Sequence, residues 1–378
     1  MVTSRSKTAV VIFNLGGPDG PGAVRPFLVN LFMDPAILRF PWPLRWLLAQ
    51  FIVTRRLSVA RKSYDAIGGG SPILELTRDQ GAALQREFDD AETMRVFVAM
   101  RHWHPLPEAC AAEVKAWGPE RIVLLPLYPQ FSTTTTGSFL AAWDKAASRI
   151  GLAAPTTAIC CYPDEPGFIT ALVRLTADAI TAAAAHGRPL VLFSAHGLPK
   201  SVVAQGDPYQ AQVVRTSAAL VAALVAALPD ALGGTSPGAG FDHRICYQSR
   251  VGPVEWLGPY TDDEIKRAGA SGTPLVVVPV AFVCEHSETL VELDIDYGRL
   301  AQESGVPVYL RVPTVATAAE FIVGLAGLAR RAATEATGAG ASVVCGCAAG
   351  GGGLCPAGFG GCPFASVAVA GAQGPEGP

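Results

Sequence analysis

Two apolar runs in this chain end in side chains that exchange protons and bind cations. Leu190-Val191-Leu192-Phe193 leads into Ser194-Ala195-His196-Gly197-Leu198-Pro199, and Val276-Val277-Val278-Pro279-Val280 leads into Cys284-Glu285-His286-Ser287-Glu288. Ligands of open parallel sheets bind beyond the carboxyl ends of the strands, so an imidazole and a carboxylate delivered from two such ends can face one another across a substrate. Histidine is the side chain most readily set to exchange protons near neutral pH, although a lone histidine also serves as an ordinary hydrogen-bonded residue. Glu288, Glu292 and Asp296 follow at four-residue spacing, which on a helix makes one acidic ridge. A solvated face is the usual fate of such charges. Like charges at this spacing destabilise an isolated helix, however, and these follow directly from a buried strand. Carboxylate and imidazole together also suit divalent first-row metals.

A third group comprises Arg55-Arg56, Tyr64 and Gly68-Gly69-Gly70-Ser71-Pro72, preceded by the aromatic stretch Phe40-Pro41-Trp42-Pro43-Leu44-Arg45-Trp46-Leu47-Leu48. Arginine grips carboxylates through its planar fork, and an apolar aromatic wall accepts a flat hydrophobic ligand. Trp-rich amphipathic segments also lie on membrane surfaces, and the triple glycine alone reads as a flexible turn. Gly16-Gly17-Pro18 lacks the G-x-G-x-x-G pattern and is followed by Asp19, which argues against nucleotide binding. Cys345, Cys347, Cys355 and Cys362 crowd a glycine-rich tail. Four thiolates there can hold zinc or an iron–sulfur cluster, and their spacing alone does not choose between them. Cys160 and Cys161 read as buried small hydrophobes.

The elements that must position these groups alternate. Apolar, β-branched runs over Ala9–Asn14, Arg95–Ala99, Ile122–Pro126, Thr157–Cys160, Leu190–Phe193, His243–Gln248, Leu275–Val280 and Pro307–Leu310 are separated by Ala- and Leu-rich helical segments. The pattern predicts an α/β chain of two Rossmann-like domains, each a four-stranded parallel sheet flanked by helices. The expected boundaries are 1–165, 166–313, a returning helix at 314–340 and a Cys/Gly-rich tail at 341–378. Half of the 378 residues are hydrophobic, 16% are charged and the net charge is −3, with a pI near 6.1. That balance fits a folded enzyme and excludes a nucleic-acid partner. The N-terminal residues lack a signal-like apolar region, no stretch approaches the roughly 20 apolar residues of a membrane span, and nine cysteines without an export signal favour metal or free thiols over disulfides.

Taken together the motifs resemble those of the ferrochelatases, enzymes that insert ferrous iron into a porphyrin. The resemblance rests on Phe13-Asn14-Leu15-Gly16-Gly17-Pro18, Tyr64 to Pro72, Leu127-Tyr128-Pro129-Gln130-Phe131-Ser132, Thr135-Thr136-Gly137-Ser138, the His196 turn with Gly206-Asp207-Pro208-Tyr209, Tyr247 to Pro253 with Trp256 to Pro259, and Phe282 to Tyr297. It covers roughly residues 8 to 330. It implies a lyase that makes protohaem from protoporphyrin IX in the last step of haem biosynthesis, with the porphyrin cleft between the two domains.

It also implies that His196 and Glu288 act on iron and pyrrole protons, supported by His286, that Glu292 and Asp296 form an iron or proton path, and that Arg56, Tyr64 and Ser71 hold the porphyrin. The Trp42–Phe51 stretch matches a lip that contacts macrocycle and membrane. The implied setting is the cytoplasm, peripherally on the inner face of the membrane, as a homodimer. Leu15 and His102 depart from residues common in the family. Some members take a cluster ligand from the loop near Ser132, which here reads Ser132-Thr133-Thr134. Cys345, Cys347, Cys355 and Cys362 are therefore expected to bind a [2Fe–2S] cluster, with Cys160 or Cys161 as a substitute ligand. The alternatives are a chelatase for coproporphyrin III, a haem or metal carrier without turnover, and an electron carrier built on the cysteine tail.

Overall fold

The computed structural model describes residues 6–88, 90–228, 240–335, 342–344 and 359–360. Two compact units emerge from its contacts. One takes in Met1–Tyr162, Gly206–Pro208 and Ile322–Pro378, and the other Pro163–Gln205 and Tyr209–Phe321.

The first unit is built on β1 (Thr8–Asn14), β2 (Met94–Met100), β3 (Arg121–Pro126) and β4 (Thr156–Ile159), all parallel, in the order β2-β1-β3-β4. Every residue of β1 is buried, because helices cover both faces of a parallel sheet and a strand inside it reads as a continuous apolar run. Val11 and Phe13 face the helices Pro107–Trp117 and Thr136–Ile150, where Phe13 stacks on Phe139 at 3.8 Å and Trp143 fills the layer. On the opposite face Ile12 closes on Gly81 of helix Ile73–Arg86, where an added Cβ would lie 3.2 Å from the Ile12 side chain. A fifth strand, β9 (Ser342–Val344), extends the expected four by pairing parallel with the edge of β4, with Ile159 opposite Val344. Helix Ala319–Glu335 contributes through Ala333, whose carbonyl accepts from Arg121 at 3.0 Å, and through Arg330, which donates to the Glu87 carbonyl.

The second unit repeats the plan with β5 (Leu190–His196), β6 (Asp242–Gln248), β7 (Leu275–Pro279) and β8 (Tyr309–Arg311), all parallel in the order β6-β5-β7-β8. One face carries Leu192, Cys246, Leu275 and Val277 against Ile265, Leu293 and Ala301. Helices Pro166–Ala184 and Tyr209–Ala227 pack on each other within the same unit. Both are 19 residues long with a mean hydropathy of 1.3, long and apolar enough by composition to cross a membrane, which the sequence reading did not anticipate. Each nevertheless buries a stripe at helical spacing, Phe168, Leu172, Thr176 and Ile180 on one and Val213, Thr216, Leu220 and Leu224 on the other, as core helices do.

Gly269, on helix Thr261–Ala270, touches the chain just beyond helix Tyr297–Glu303. A Cβ there would lie 2.1 Å from the Ser304 carbonyl oxygen, a backbone atom that cannot swing aside. Gly269→Ala is therefore expected to cost about 1–3 kcal/mol through overpacking, read as a lower urea midpoint at unchanged slope.

Candidate active site

The second unit gathers three of the expected side chains. His196 is the last residue of β5, not part of a separate turn, because the strand runs on through Ser194 and Ala195. Its Nδ1 donates to the Gly197 carbonyl at 2.5 Å, which in the neutral ring leaves Nε2 as the free acceptor. Gly197 is a place where only glycine fits, since a Cβ would stand 2.8 Å from the Gln248 carbonyl and 3.1 Å from the Trp256 ring. Trp256 flanks the imidazole edge-on at 6.4 Å.

Opposite stands the loop after β7. Its first residue, Val280, donates to the Ser194 carbonyl at 3.1 Å and so ties the loop to β5. His286 is buried, its ring tilted on Phe282 at 4.8 Å and its backbone amide bonded to Thr289 Oγ1 at 3.0 Å. Glu288 opens a nine-residue π-helix, Glu288–Asp296, where the acidic spacing alone suggested an ordinary helix. Such segments are rare and cluster at functional sites.

Nε2 of His196 lies 3.6 Å from Glu288 Oε1, and Nε2 of His286 lies 3.5 Å from Glu288 Oε2. Burial works to raise the pKa of Glu288, but the charge of His196 and the hydrogen bond and charge of His286 outweigh it and hold the carboxyl down to about 2. The carboxylate is therefore ionised throughout the neutral range, and the His196 nitrogen beside it is aimed to receive a proton.

The other acids of the series diverge. Glu292 turns inward and accepts from the Ser249 amide at 2.8 Å, from the Ser249 hydroxyl and from Tyr297 at 3.0 Å, while Gln248 reaches both Glu292 and the Glu288 carbonyl. Burial foremost, and then the charge of Glu288, raise the pKa of Glu292. Together with Tyr247, Arg250 and Asp262 these residues line a cavity of about 200 Å³. Ser249 sits at φ 65°, an unusual conformation for a non-glycine residue, where its amide and hydroxyl both reach Glu292. Asp296 is exposed and pairs with Arg299 at 3.3 Å. Sequence reasoning assigned no role to Ser249 or Tyr297. Both fell within quoted motifs, Tyr247 to Pro253 and Phe282 to Tyr297, which was their only signal.

Arg56, Tyr64 and Ser71 belong to the first unit. Arg56 is half-buried on helix Trp42–Asp65. Tyr64 is buried against Val24, Phe27, Leu28 and Val53. Ser71 donates its amide to the Pro18 carbonyl at 2.7 Å, and a Cβ on Gly17 would fall 2.5 Å from the Ser71 side chain. Two glycine motifs that looked separate in the sequence are thus one packed corner. Gly68 and Gly69 adopt φ 96° and 90°, so the triple glycine holds a defined left-handed turn. Cys345, Cys347, Cys355 and Cys362 lie outside the described residues. Cys160 and Cys161 are buried with sulfurs 3.4 Å apart. Among the described residues no cluster of His, Cys, Asp or Glu side chains has the close geometry of a resident metal site.

The ferrochelatase family profile matches residues 7–333. The chain is 49% identical over 335 residues to the ferrochelatase of Caulobacter vibrioides, covering 88% of this chain and 92% of that one. It is 50% identical over 360 residues to the ferrochelatase of Phenylobacterium zucineum, covering 94% and 97%. In fold it resembles SirB from Bacillus subtilis, solved with Fe3+, at a TM-score of 0.52 and 10% identity over 87% of this chain and 96% of that one.

A depressed carboxyl pKa contributes stability that is present above the unfolded value near 4.5 and lost as pH falls through about 2. With 27% of the Glu288 side chain exposed, solvent screening trims this to about 1–3 kcal/mol. Glu288→Gln is expected to lower folding stability at pH 7, and the gap from the unsubstituted protein should shrink as urea titrations move from pH 5 to pH 3.

Proposed function

Because this chain belongs to the ferrochelatase family and, as a lyase, makes haem by inserting ferrous iron into a porphyrin, we propose that its porphyrin is protoporphyrin IX and that His196 and Glu288 carry the insertion. The observation behind this reading is the 3.6 Å apposition of His196 Nε2, at the end of β5, and an ionised carboxylate at the start of the π-helix that follows the neighbouring strand β7. Insertion exchanges two pyrrole N–H protons for one dication. Nε2 of His196 takes up the two departing protons in turn, passing the first on before the second leaves, and the Glu288 carboxylate balances the positive charge that exists beside it each time. His286, held by burial and by Thr289, keeps that carboxylate oriented from its far side. Glu292, whose raised pKa lets it exchange a proton more readily than Glu288, and Asp296 at the surface continue the path for protons or iron.

Arg56, Tyr64 and Ser71 hold the porphyrin in this reading. Arg56 supplies the charge that propionates require, and Tyr64 and Ser71 shape the corner behind it. The cysteine tail supplies a [2Fe–2S] cluster through Cys345, Cys347, Cys355 and Cys362. The donor chemistry fits, since thiolates are the ligands such clusters take. The backbone also supports the substitute ligand: Cys160 donates its amide to the Val344 carbonyl at 2.9 Å, and Cys345 is the next residue in the chain. When bound, the cluster would serve structure or sensing, because insertion leaves the oxidation state of the iron unchanged. Trp42, Leu47 and Phe51, exposed by 64%, 60% and 58%, support peripheral contact with a membrane by a cytoplasmic protein. A homodimer completes the reading.

His196→Ala is expected to abolish metalloporphyrin formation, a loss of at least about 100-fold, while circular dichroism shows the fold retained and the melting temperature falls only modestly, because Glu288 keeps His286 as its second partner. Anaerobic assays with ferrous iron should show higher kcat/KM for protoporphyrin IX than for coproporphyrin III. The reverse preference would move the substrate to the four-carboxylate porphyrin, and tight binding of both without turnover would make the protein a carrier. Visible charge-transfer bands should accompany the purified protein and vanish on replacing Cys345 and Cys347 by serine.

A further inference from the structure

Strand β8 ends in an arginine that none of the sequence motifs contains. The Arg311 side chain is only 11% exposed and holds two carboxylates at once. Its Nη1 donates to Glu285 Oε1 at 2.6 Å, its Nε to Asp294 Oδ1 at 2.6 Å, and its Nη2 to Asp294 Oδ2. Glu285 immediately precedes His286, and Asp294 lies within the π-helix, two residues past Glu292. The stretch that carries His286, Glu288 and Glu292 is therefore pinned at both ends to one guanidinium.

That guanidinium is itself fixed. Arg311 pairs with Val277 of β7, and the next amide, Val312, donates to the Val277 carbonyl at 2.8 Å. From the same strand Tyr309 donates to the Leu293 carbonyl at 2.7 Å, so β8 grips the π-helix at two successive residues. The Thr314 amide adds a second donor to Glu285 at 2.9 Å. A π-helix is an uncommon state that surrounding contacts have to maintain. A planar fork that bonds Asp294 through two nitrogens specifies its orientation in a way an ammonium does not.

We propose that Arg311 is a positioning residue for metal insertion: by holding Glu285 and Asp294 it sets the π-helix and the loop before it, so that Glu288 and His286 meet His196. The proposal rests on the reading of His196 and Glu288 given above. Arg311 touches no reacting atom and acts through the segment it clamps.

A double-mutant cycle on the full chain tests it, using Arg311→Met, Arg311→Lys, Glu288→Gln and the Arg311→Met/Glu288→Gln pair in anaerobic assays with ferrous iron and protoporphyrin IX. Arg311→Met should lower kcat by roughly 10- to 100-fold, the usual effect of losing a supporting partner, with the porphyrin KM changed by less than about threefold. Arg311→Lys, which keeps the charge without the fork, should fall between. In the Glu288→Gln background the same Arg311→Met change should cost less than about threefold, because the group it positions is gone. Effects that multiply in full in both backgrounds, or a folded Arg311→Met protein within about threefold of the parent kcat, would overturn the proposal. Should Arg311→Met fail to fold, Arg311→Lys is judged by the same criteria. A Glu288→Gln protein with unimpaired turnover would contradict the reading of the pair and remove the proposal with it, whereas full multiplication alone contradicts only the role of Arg311.

Discussion

An ionised carboxylate that is largely withdrawn from water is costly unless charge and hydrogen bonds compensate it. At Glu288 two imidazoles provide that compensation, one 3.6 Å away at the end of β5 and the other 3.5 Å away in the loop after β7. The arrangement serves chemistry as well as stability. A negative charge that survives across the neutral range faces the nitrogen of His196 at 3.6 Å, and a dication is drawn to the same spot. The remaining features of the second unit act to keep those three side chains where they are.

The sheet supplies the first level of control, because β5 and β7 are hydrogen-bonded neighbours whose carboxyl ends point the same way. Gly197 supplies the second, letting the backbone of Gln248 and the Trp256 ring close to within contact of the residue after His196. The π-helix supplies the third. It separates the fates of acids that are evenly spaced in sequence, with Glu288 beside the imidazoles, Glu292 enclosed by Ser249 and Tyr297, and Asp296 in solvent. Rigid strand ends, one of them followed by a π-helix that carries the acid, are what a reaction needs if it depends on a fixed distance between base and acid.

Much of this was legible in the amino-acid sequence. All eight expected strands stand where apolar, β-branched runs placed them, because a strand covered by helices on both faces reads as a nearly continuous apolar run, as β1 does from Ala9 to Phe13. Boundaries moved by one to three residues, most consequentially at β5, which continues from Phe193 to His196. β9 was not foreseen. Its three residues lie in a Gly- and Cys-rich tail with no strand-like length, and only the open edge of β4 makes them a strand. The π-helix was equally hidden, since a single nine-residue segment carries too little periodicity to distinguish it from an α-helix. The convergence of Arg311 on Glu285 and Asp294 left no local trace, because it arises from the register of β8 against β7.

The account depends on His196 presenting a bare Nε2 to Glu288 while Nδ1 keeps its proton on the Gly197 carbonyl. Nitrogen-15 NMR of histidine-labelled protein, with the His196 signals assigned by their absence from His196→Ala, measures this directly. The account predicts the Nδ1–H tautomer in the neutral ring, with Nε2 showing the shift of an unprotonated nitrogen. A neutral His196 protonated at Nε2 would contradict it, because the nitrogen facing the carboxylate would then have no room for a substrate proton.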